Sequence, residues 1–159
     1  MAPELTSQDY AALAEFRHQI RCFLHFSQEA ALQEELEPQQ HQLLLAVRAQ
    51  QDQGGPTIGQ LAEELLIRHH SAVGLVDRLA EHGLIDRIRG TEDRREVRVR
   101  LTAGGEAKLK RLSVLHRDEL RGAGPRLVEA LEGLLQRLHK KHSISGKEAD
   151  APTGPKSSC

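Results

Sequence analysis

The sequence predicts a mainly α-helical (α+β) fold with about six helices and one two-stranded β-hairpin. Leucine and other apolar residues recur at helical spacing along most of the 159-residue chain. This spacing changes to strict apolar–basic alternation over residues 97–101, as in a half-buried strand. One Tyr, three Phe and no Trp leave a core built mainly from Leu, Val, Ile and Ala.

Two helices are predicted within residues 7–50. The first has apolar positions at spacings typical of one helix face between residues 10 and 35. Pro38 begins the second, because proline fits the first turn of a helix, where its missing N–H breaks no bond. The polar, glycine-containing stretch from residue 50 to 56 is typical of a loop.

Two short helices and a hairpin are predicted within residues 57–102. A capping-box pattern opens the first helix at Thr57. The second is expected over about residues 69–82, where Gly83 supplies the left-handed cap that ends many helices. Apolar residues then alternate with polar ones on both sides of an arginine-rich polar segment. This pattern predicts two strands joined as a hairpin, with the polar segment at its tip.

Two further helices are predicted within residues 103–141. The segment Gly122-Ala123-Gly124-Pro125 should break or kink the helix between them, because proline inside a helix loses a hydrogen bond and clashes with the preceding turn. Residues 143–159 are rich in Gly, Pro, Ser and Lys and are expected to form a disordered tail.

Composition excludes several classes of protein. The net charge of −1 argues against binding nucleic acid through bulk positive charge. No apolar run reaches the roughly 18 residues of a membrane span, and no signal peptide is visible. Cys22 and Cys159 lie far apart, the latter in the polar tail, so we expect no structural disulfide and a cytoplasmic location.

No catalytic site is predicted. The sequence has no glycine-rich phosphate loop and no Ser or Cys nucleophile beside an evident base, so we expect neither enzymatic activity nor a cofactor. Nine histidines raise the question of a metal site. The adjacent pair His69 and His70 points apart on a helix, however, and no metal site is predicted.

The order helix, turn, helix, hairpin is that of a winged helix-turn-helix, which binds double-stranded DNA. Its second helix enters the major groove with its N-terminal residues. The small Gly74 would allow close approach to the duplex, and Arg78 would reach a phosphate. The predicted groove-contacting residues at the helix start are all polar: Arg68, His69, His70 and Ser71.

The hairpin is the second predicted DNA contact. Between residues 87 and 100, six arginines accompany three acidic residues. Arg94 and Arg95 at its tip could enter the minor groove. The polar start of the second helix and the arginines of the hairpin would each, taken alone, also fit a surface that contacts only water. The prediction of DNA binding depends on their occurring together. The alternative is a helical protein-interaction module that does not bind DNA.

These segments resemble the MarR family of bacterial transcriptional regulators over about residues 10–140. The resemblance implies an obligate homodimer, in which the terminal helices interlock and two winged domains bind a pseudo-palindromic site. It also implies that Asp93 orients the wing arginines and that Arg95 contacts the minor groove. The matching stretches are Thr57-Ile58-Gly59-Gln60-Leu61-Ala62, Gly74-Leu75-Val76-Asp77-Arg78-Leu79, His82-Gly83-Leu84-Ile85 and Asp93–Thr102.

The leucine content of the flanking helices predicts a homodimer independently. The first helix, which ends near residue 35, and the two helices within residues 103–141 carry more leucine than a small winged domain could cover. A symmetric copy is the commonest partner for such a surface. Dimerisation would also present two DNA-binding units to half-sites about one helical turn apart.

Two signals could control such a regulator. The resemblance implies a repressor that responds to a small anionic or aromatic effector, with Arg17, Arg21, His25 and His41 as candidate pocket residues. The alternative is oxidant sensing through Cys22, which resembles the sensing thiol of peroxide-responsive members. Phe26, one turn later, cannot donate a hydrogen bond to that thiol, which favours a cysteine that simply fills the dimer core.

Overall fold

The computed structural model describes residues 5–89 and 96–145, with side chains described as far as residue 138. The described residues form two compact units. One consists of residues 24–120, and the other combines the two ends of the chain, up to residue 23 and from residue 121 onward. The elements are α1 (Ser7–Gln33), α2 (Pro38–Gln50), α3 (Ile58–Glu64), α4 (His69–Glu81), β1 (Ile85–Arg89), β2 (Val97–Leu101) and α5 (Ala103–Ser145), with a short 3₁₀ turn at Gln51–Gln53.

The predicted mainly helical fold with a two-stranded hairpin is confirmed, but the helix count is lower than expected. A break at residues 122–125 does not occur, because α5 continues through Pro125 as one helix; a kink there, the other predicted outcome, stays a prediction. Proline there removes the bond that its N–H would donate to the carbonyl of Arg121. The loss of one hydrogen bond need not end a helix of 43 residues.

Reciprocal hydrogen bonds define the start of α3, as the sequence predicts. The backbone N–H of Gln60 donates to Oγ1 of Thr57 at 3.2 Å, and the N–H of Thr57 donates to Oε1 of Gln60 at 2.9 Å. Glu37 and Gln40 form a capping box at the start of α2. Each box satisfies backbone donors that the first helical turn leaves without a partner.

A leucine-rich core holds the central unit together. It joins the end of α1, helices α2 to α4, the hairpin and the start of α5. Burying each large aliphatic side chain contributes about 1.5–3 kcal/mol, so these residues dominate the stability of the unit. The large side chains with almost no exposed surface include Leu43, Leu44, Leu61, Leu75, Leu79, Ile85 and Leu112.

The hairpin is antiparallel and is tied to the start of α3. Ile85 of β1 lies opposite Leu101 of β2. The N–H of Val99 donates to the carbonyl of Pro56 at 2.9 Å, so the segment before α3 pairs with β2. Gly55 permits this close approach, because a Cβ there would lie 2.3 Å from the carbonyl oxygen of Val99. The hairpin and the paired helices therefore share one framework.

Gly83 ends α4 as predicted, with a φ of 67°. None of the helices in the described ranges combines the length and the apolar character that crossing a membrane requires.

Candidate nucleic-acid interface

Helix α4 presents a polar, exposed first turn. Its N-cap, Arg68, has extended backbone angles, and no side chain caps the helix. This differs from α2 and α3, which both begin with capping boxes. An uncapped helix start leaves backbone N–H groups and the positive end of the helix dipole facing outward, where an anion such as phosphate can bind.

The buried face of α4 fixes that orientation. Ala72, Leu75, Val76 and Leu79 pack into the core, so the opposite face must lie outside. The predicted contact residues at the helix start all lie on the exposed side: Arg68, His69, His70 and Ser71.

Gly74 and Arg78 are neighbours on α4. A Cβ added to Gly74 would lie 3.7 Å from Nη1 of Arg78, so the guanidinium lies beside the glycine backbone. Arg78 itself is exposed. That distance is an ordinary van der Waals contact, so the arginine does not require a glycine at this position.

The turn between α3 and α4 contains a feature that sequence reasoning missed. Leu66 adopts a φ of 54°, and 93% of its surface is exposed. A left-handed backbone costs a leucine about 1–2 kcal/mol, and burial of the side chain does not offset that cost here. Nothing in a Leu-Leu-Ile run indicates which leucine takes this conformation.

An ion pair connects the hairpin to α4. Arg87 of β1 donates from Nη2 to Oδ1 of Asp77, and both side chains are partly exposed. Arg98 of β2 donates from Nη1 to the carbonyl of Gly55 at 2.7 Å and contacts Glu96 at 2.5 Å. The first contact joins β1 to α4, and the bond to Gly55 joins β2 to the segment before α3.

The predicted tip residues Asp93, Arg94 and Arg95 lie outside the described residues. Their roles in the wing stay predictions.

The four candidate effector residues differ in exposure. Arg17, Arg21 and His25 are exposed on α1, and His41 is buried. Cys22 is also exposed in the single chain, and its Sγ lies 3.5 Å from Nε2 of His18 one turn earlier. The spacing of four residues between His18 and Cys22 was the sequence signal for this contact.

His41 belongs to a small aromatic and polar cluster at the junction of α1, α2 and α5. Its ring lies 4.7 Å from that of His116, between centroids, and Phe26 meets His116 edge-on at 5.5 Å. Nδ1 of His116 lies 2.7 Å from the carbonyl of Leu112, and Nε2 lies 2.8 Å from Oγ of Ser27. Burial, and then the nearby His116, lowers the pKa of His41 to about 4.

A second cluster joins the end of α1 to α5. Both carboxylate oxygens of Glu34 accept hydrogen bonds from the Arg111 guanidinium, at 2.7 to 3.0 Å. Nζ of Lys108 donates to the carbonyl of Glu34 at 2.5 Å. The hydrogen bond from Arg111 is the main reason that the pKa of Glu34 lies below its ordinary value.

Comparison with known proteins places the winged segment in a family. Residues 35–96 match the family model described as "MarR family". No curated protein sequence matches the chain at a significant level.

Solved structures share the fold over most of the chain. A point mutant of S. aureus MepR bound to an oligodeoxyribonucleotide is 22% identical, with a TM-score of 0.61, over 89% of this chain and 99% of its own. Apo MarR from E. coli is 20% identical, with a TM-score of 0.60, over 86% and 98%. AbsC, a MarR family transcriptional regulator from Streptomyces coelicolor, is 16% identical, with a TM-score of 0.67, over 87% and 99%.

Proposed function

We propose that this chain, whose residues 35–96 match the MarR family model, is a MarR-type, sequence-specific, double-stranded DNA-binding transcriptional regulator. It acts as a homodimer and as a ligand-responsive repressor. The observation that carries the proposal is the uncapped, exposed and polar first turn of α4, held outward by a buried apolar face.

The chemistry of this turn suits a duplex. Arg68 can pair with guanine or phosphate, and the hydroxyl of Ser71 can donate to a base edge or a backbone oxygen. Arginines on the hairpin, held through Asp77 and Gly55, add positive charge beside the helix. The MepR mutant of the same fold is bound to an oligodeoxyribonucleotide, which supports this mode of action for the present chain.

Exposed apolar residues at the chain ends support the homodimer. Within the end-segment unit, Tyr10 is 60% exposed, Leu13 38%, Val128 54% and Leu131 38%. Such side chains spaced along both terminal helices favour burial against another helix surface, and in a homodimer a second copy supplies it. Repression then follows from occupancy of a promoter by the dimer, in the cytoplasm where the chromosome is accessible.

Selection from a random duplex library tests the proposal. We expect enrichment of an inverted repeat whose half-sites lie about one helical turn apart. Light scattering at micromolar concentration should give twice the chain mass of 17.7 kDa. Failure to enrich any sequence would contradict DNA recognition and favour the protein-interaction module, and a monomeric mass would contradict the dimer.

The contact between Cys22 and His18 supports a second candidate, a thiol-based oxidant sensor. The Cys22 thiol is exposed in the single chain, so peroxide can reach it. Peroxide should then release DNA from the wild-type protein but not from a Cys22→Ser variant. Equal release from both proteins would remove this candidate.

A further inference from the structure

Helix α3 ends with a leucine in the left-handed backbone region. The N–H of Leu66 donates to the carbonyl of Glu63 at 3.1 Å, and the N–H of Ile67 donates to the carbonyl of Ala62 at 3.0 Å. These two bonds are those of a Schellman motif, in which the left-handed residue is usually glycine. The φ of 54° at Leu66 is therefore imposed by the way in which α3 ends.

The other left-handed positions in the described ranges are glycines or a charged residue. Gly83 ends α4 with a φ of 67°, and Gly54 follows the 3₁₀ turn with a φ of 97°. Glu35 has a φ of 58°, and its side chain is 92% exposed, so water solvates the carboxylate. Leu66 is the one described residue that combines a positive φ with an apolar side chain. Neither backbone preference nor solvation accounts for a leucine here.

Leu66 is also the most exposed large apolar residue in the part of the chain that the structure describes. Its exposed fraction is 93%, and the next highest is 60%, at Tyr10. A single exposed leucine on a protein surface is ordinary. One that also occupies a strained backbone position gains nothing from either property within the single chain, and an apolar partner outside the chain would account for both.

The segment from Leu66 to Arg68 brings this side chain beside the polar first turn of α4. Ile67 packs against the core, whereas Leu66 and Arg68 on either side of it are exposed. Their Cα atoms are two residues apart, so at most about 7.6 Å separates them. This is little more than two base-pair steps of about 3.4 Å each. A duplex that contacts Arg68 therefore lies within reach of Leu66.

The chemistry of this turn suits a base edge better than the phosphate backbone. A leucine side chain offers no hydrogen bond to a phosphate. Glu63 and Glu64, at the end of α3, are exposed, and their carboxylates repel a phosphate. The apolar group that a base presents in the major groove is the C5 methyl of thymine.

We propose that Leu66 contacts the C5 methyl group of a thymine in each half-site and so adds a preference for thymine to the contacts made by the first turn of α4. The proposal deepens the DNA recognition of the proposed function and rests on it. The left-handed backbone holds an apolar side chain away from the core, where a duplex can cover it.

Replacement of thymine by deoxyuridine tests this contact, because it removes the methyl group and keeps the base pair. Each symmetric pair of thymines in the selected duplex is replaced in turn. Fluorescence anisotropy at one salt concentration then gives the affinities of the wild type, Leu66→Ala and the control Leu45→Ala. Leu45 is a matched leucine on α2 that is 51% exposed.

We expect one pair of replacements to weaken the wild type and Leu45→Ala about fourfold for each half-site, and so about tenfold or more for the whole duplex. Leu66→Ala should bind this deoxyuridine duplex and the thymine duplex equally. Its affinity for both should match that of the wild type for the deoxyuridine duplex. Replacement of the other thymines should affect all three proteins alike.

Equal effects of every replacement on all three proteins overturn the proposal, as does a selected site without thymine. A wild-type dimer that dissociates in Leu66→Ala, measured by light scattering, would place the leucine in a protein interface and also overturn it. Leu66→Asn, which suits the left-handed backbone, is a second variant that lacks the methyl contact, and it should give the same result.

The same titrations separate this proposal from the proposed function. If the wild type binds no duplex, both fail. If the wild type binds the selected duplex and no replacement depends on Leu66, DNA recognition stands and the contact with thymine is wrong.

Discussion

Arg87 of strand β1 donates a hydrogen bond to Asp77 near the middle of helix α4. The two residues are ten positions apart and belong to the two elements that a winged protein brings to DNA. Both side chains are 40% to 45% exposed, so the pair contributes little to folding. We expect the pair to act mainly on how the hairpin is positioned beside α4.

Loss of this pair should weaken DNA binding more than it weakens the fold. Asp77→Ala is expected to lower the free energy of unfolding by at most about 1 kcal/mol and to reduce duplex affinity about tenfold. Denaturant titration and anisotropy measure the two effects. A charge-swapped Asp77→Arg, Arg87→Asp protein should recover part of the affinity, and no recovery would show that Arg87 acts by contacting DNA itself.

The pKa of His41 predicts a loss of stability on mild acidification. Because folding lowers this pKa from 6.5 to about 4, the folded state favours the neutral ring. The stabilisation is fully present above pH 6.5 and is lost as the pH falls toward 4, by up to about 3 kcal/mol. Denaturant titrations from pH 7 to pH 4 should show a steeper decline for wild type than for His41→Phe. Parallel declines would contradict the assignment.

Glu34 predicts a separate effect at lower pH. Its folded pKa lies below the ordinary value of 4.5, chiefly because Arg111 bonds the carboxylate. The stabilisation of the folded state by ionised Glu34 is therefore present above pH 4.5 and is lost as the pH falls through the folded pKa. Between pH 5 and pH 3 the wild type should lose more stability than Glu34→Gln. The exposed Glu63→Gln variant is the control, and identical slopes for all three proteins would refute the role of Arg111.

Leu66 predicts a stabilising substitution. Asparagine tolerates the left-handed backbone better than leucine, and a side chain that is 93% exposed leaves few contacts to lose. Leu66→Asn should raise the free energy of unfolding by about 0.5–1 kcal/mol. Leu66→Ala retains the strained backbone and should change little in the same denaturant titration. A destabilised Leu66→Asn protein would mean that the leucine makes a contact that the single chain does not contain.

The sequence predicted the elements whose signals are local. The capping box at Thr57, the glycine at the end of α4 and the alternation of β2 each involve neighbouring residues, and each is confirmed. The break at Pro125 was also a local prediction, and it was wrong because a long helix can continue when proline removes one of its hydrogen bonds.

Contacts between distant residues could not be predicted in the same way. The pairing of Asp77 with Arg87 and the bond from Arg98 to Gly55 depend on how the hairpin packs against the paired helices. Spacing along the chain carries no information about such contacts. The exposed start of α4 was predictable, because its apolar positions at helical spacing assign the polar residues to the opposite face.

The central claim is that the first turn of α4 recognises DNA, and duplex affinity measured by fluorescence anisotropy tests it most directly. Wild type, Arg68→Ala and the control Arg48→Ala are titrated onto the selected duplex at one salt concentration. Arg48 is a matched arginine on α2 that pairs with Asp52 at 3.4 Å. We predict that Arg68→Ala weakens binding about tenfold or more, and that Arg48→Ala binds like the wild type. Equal affinity of all three proteins would contradict the claim.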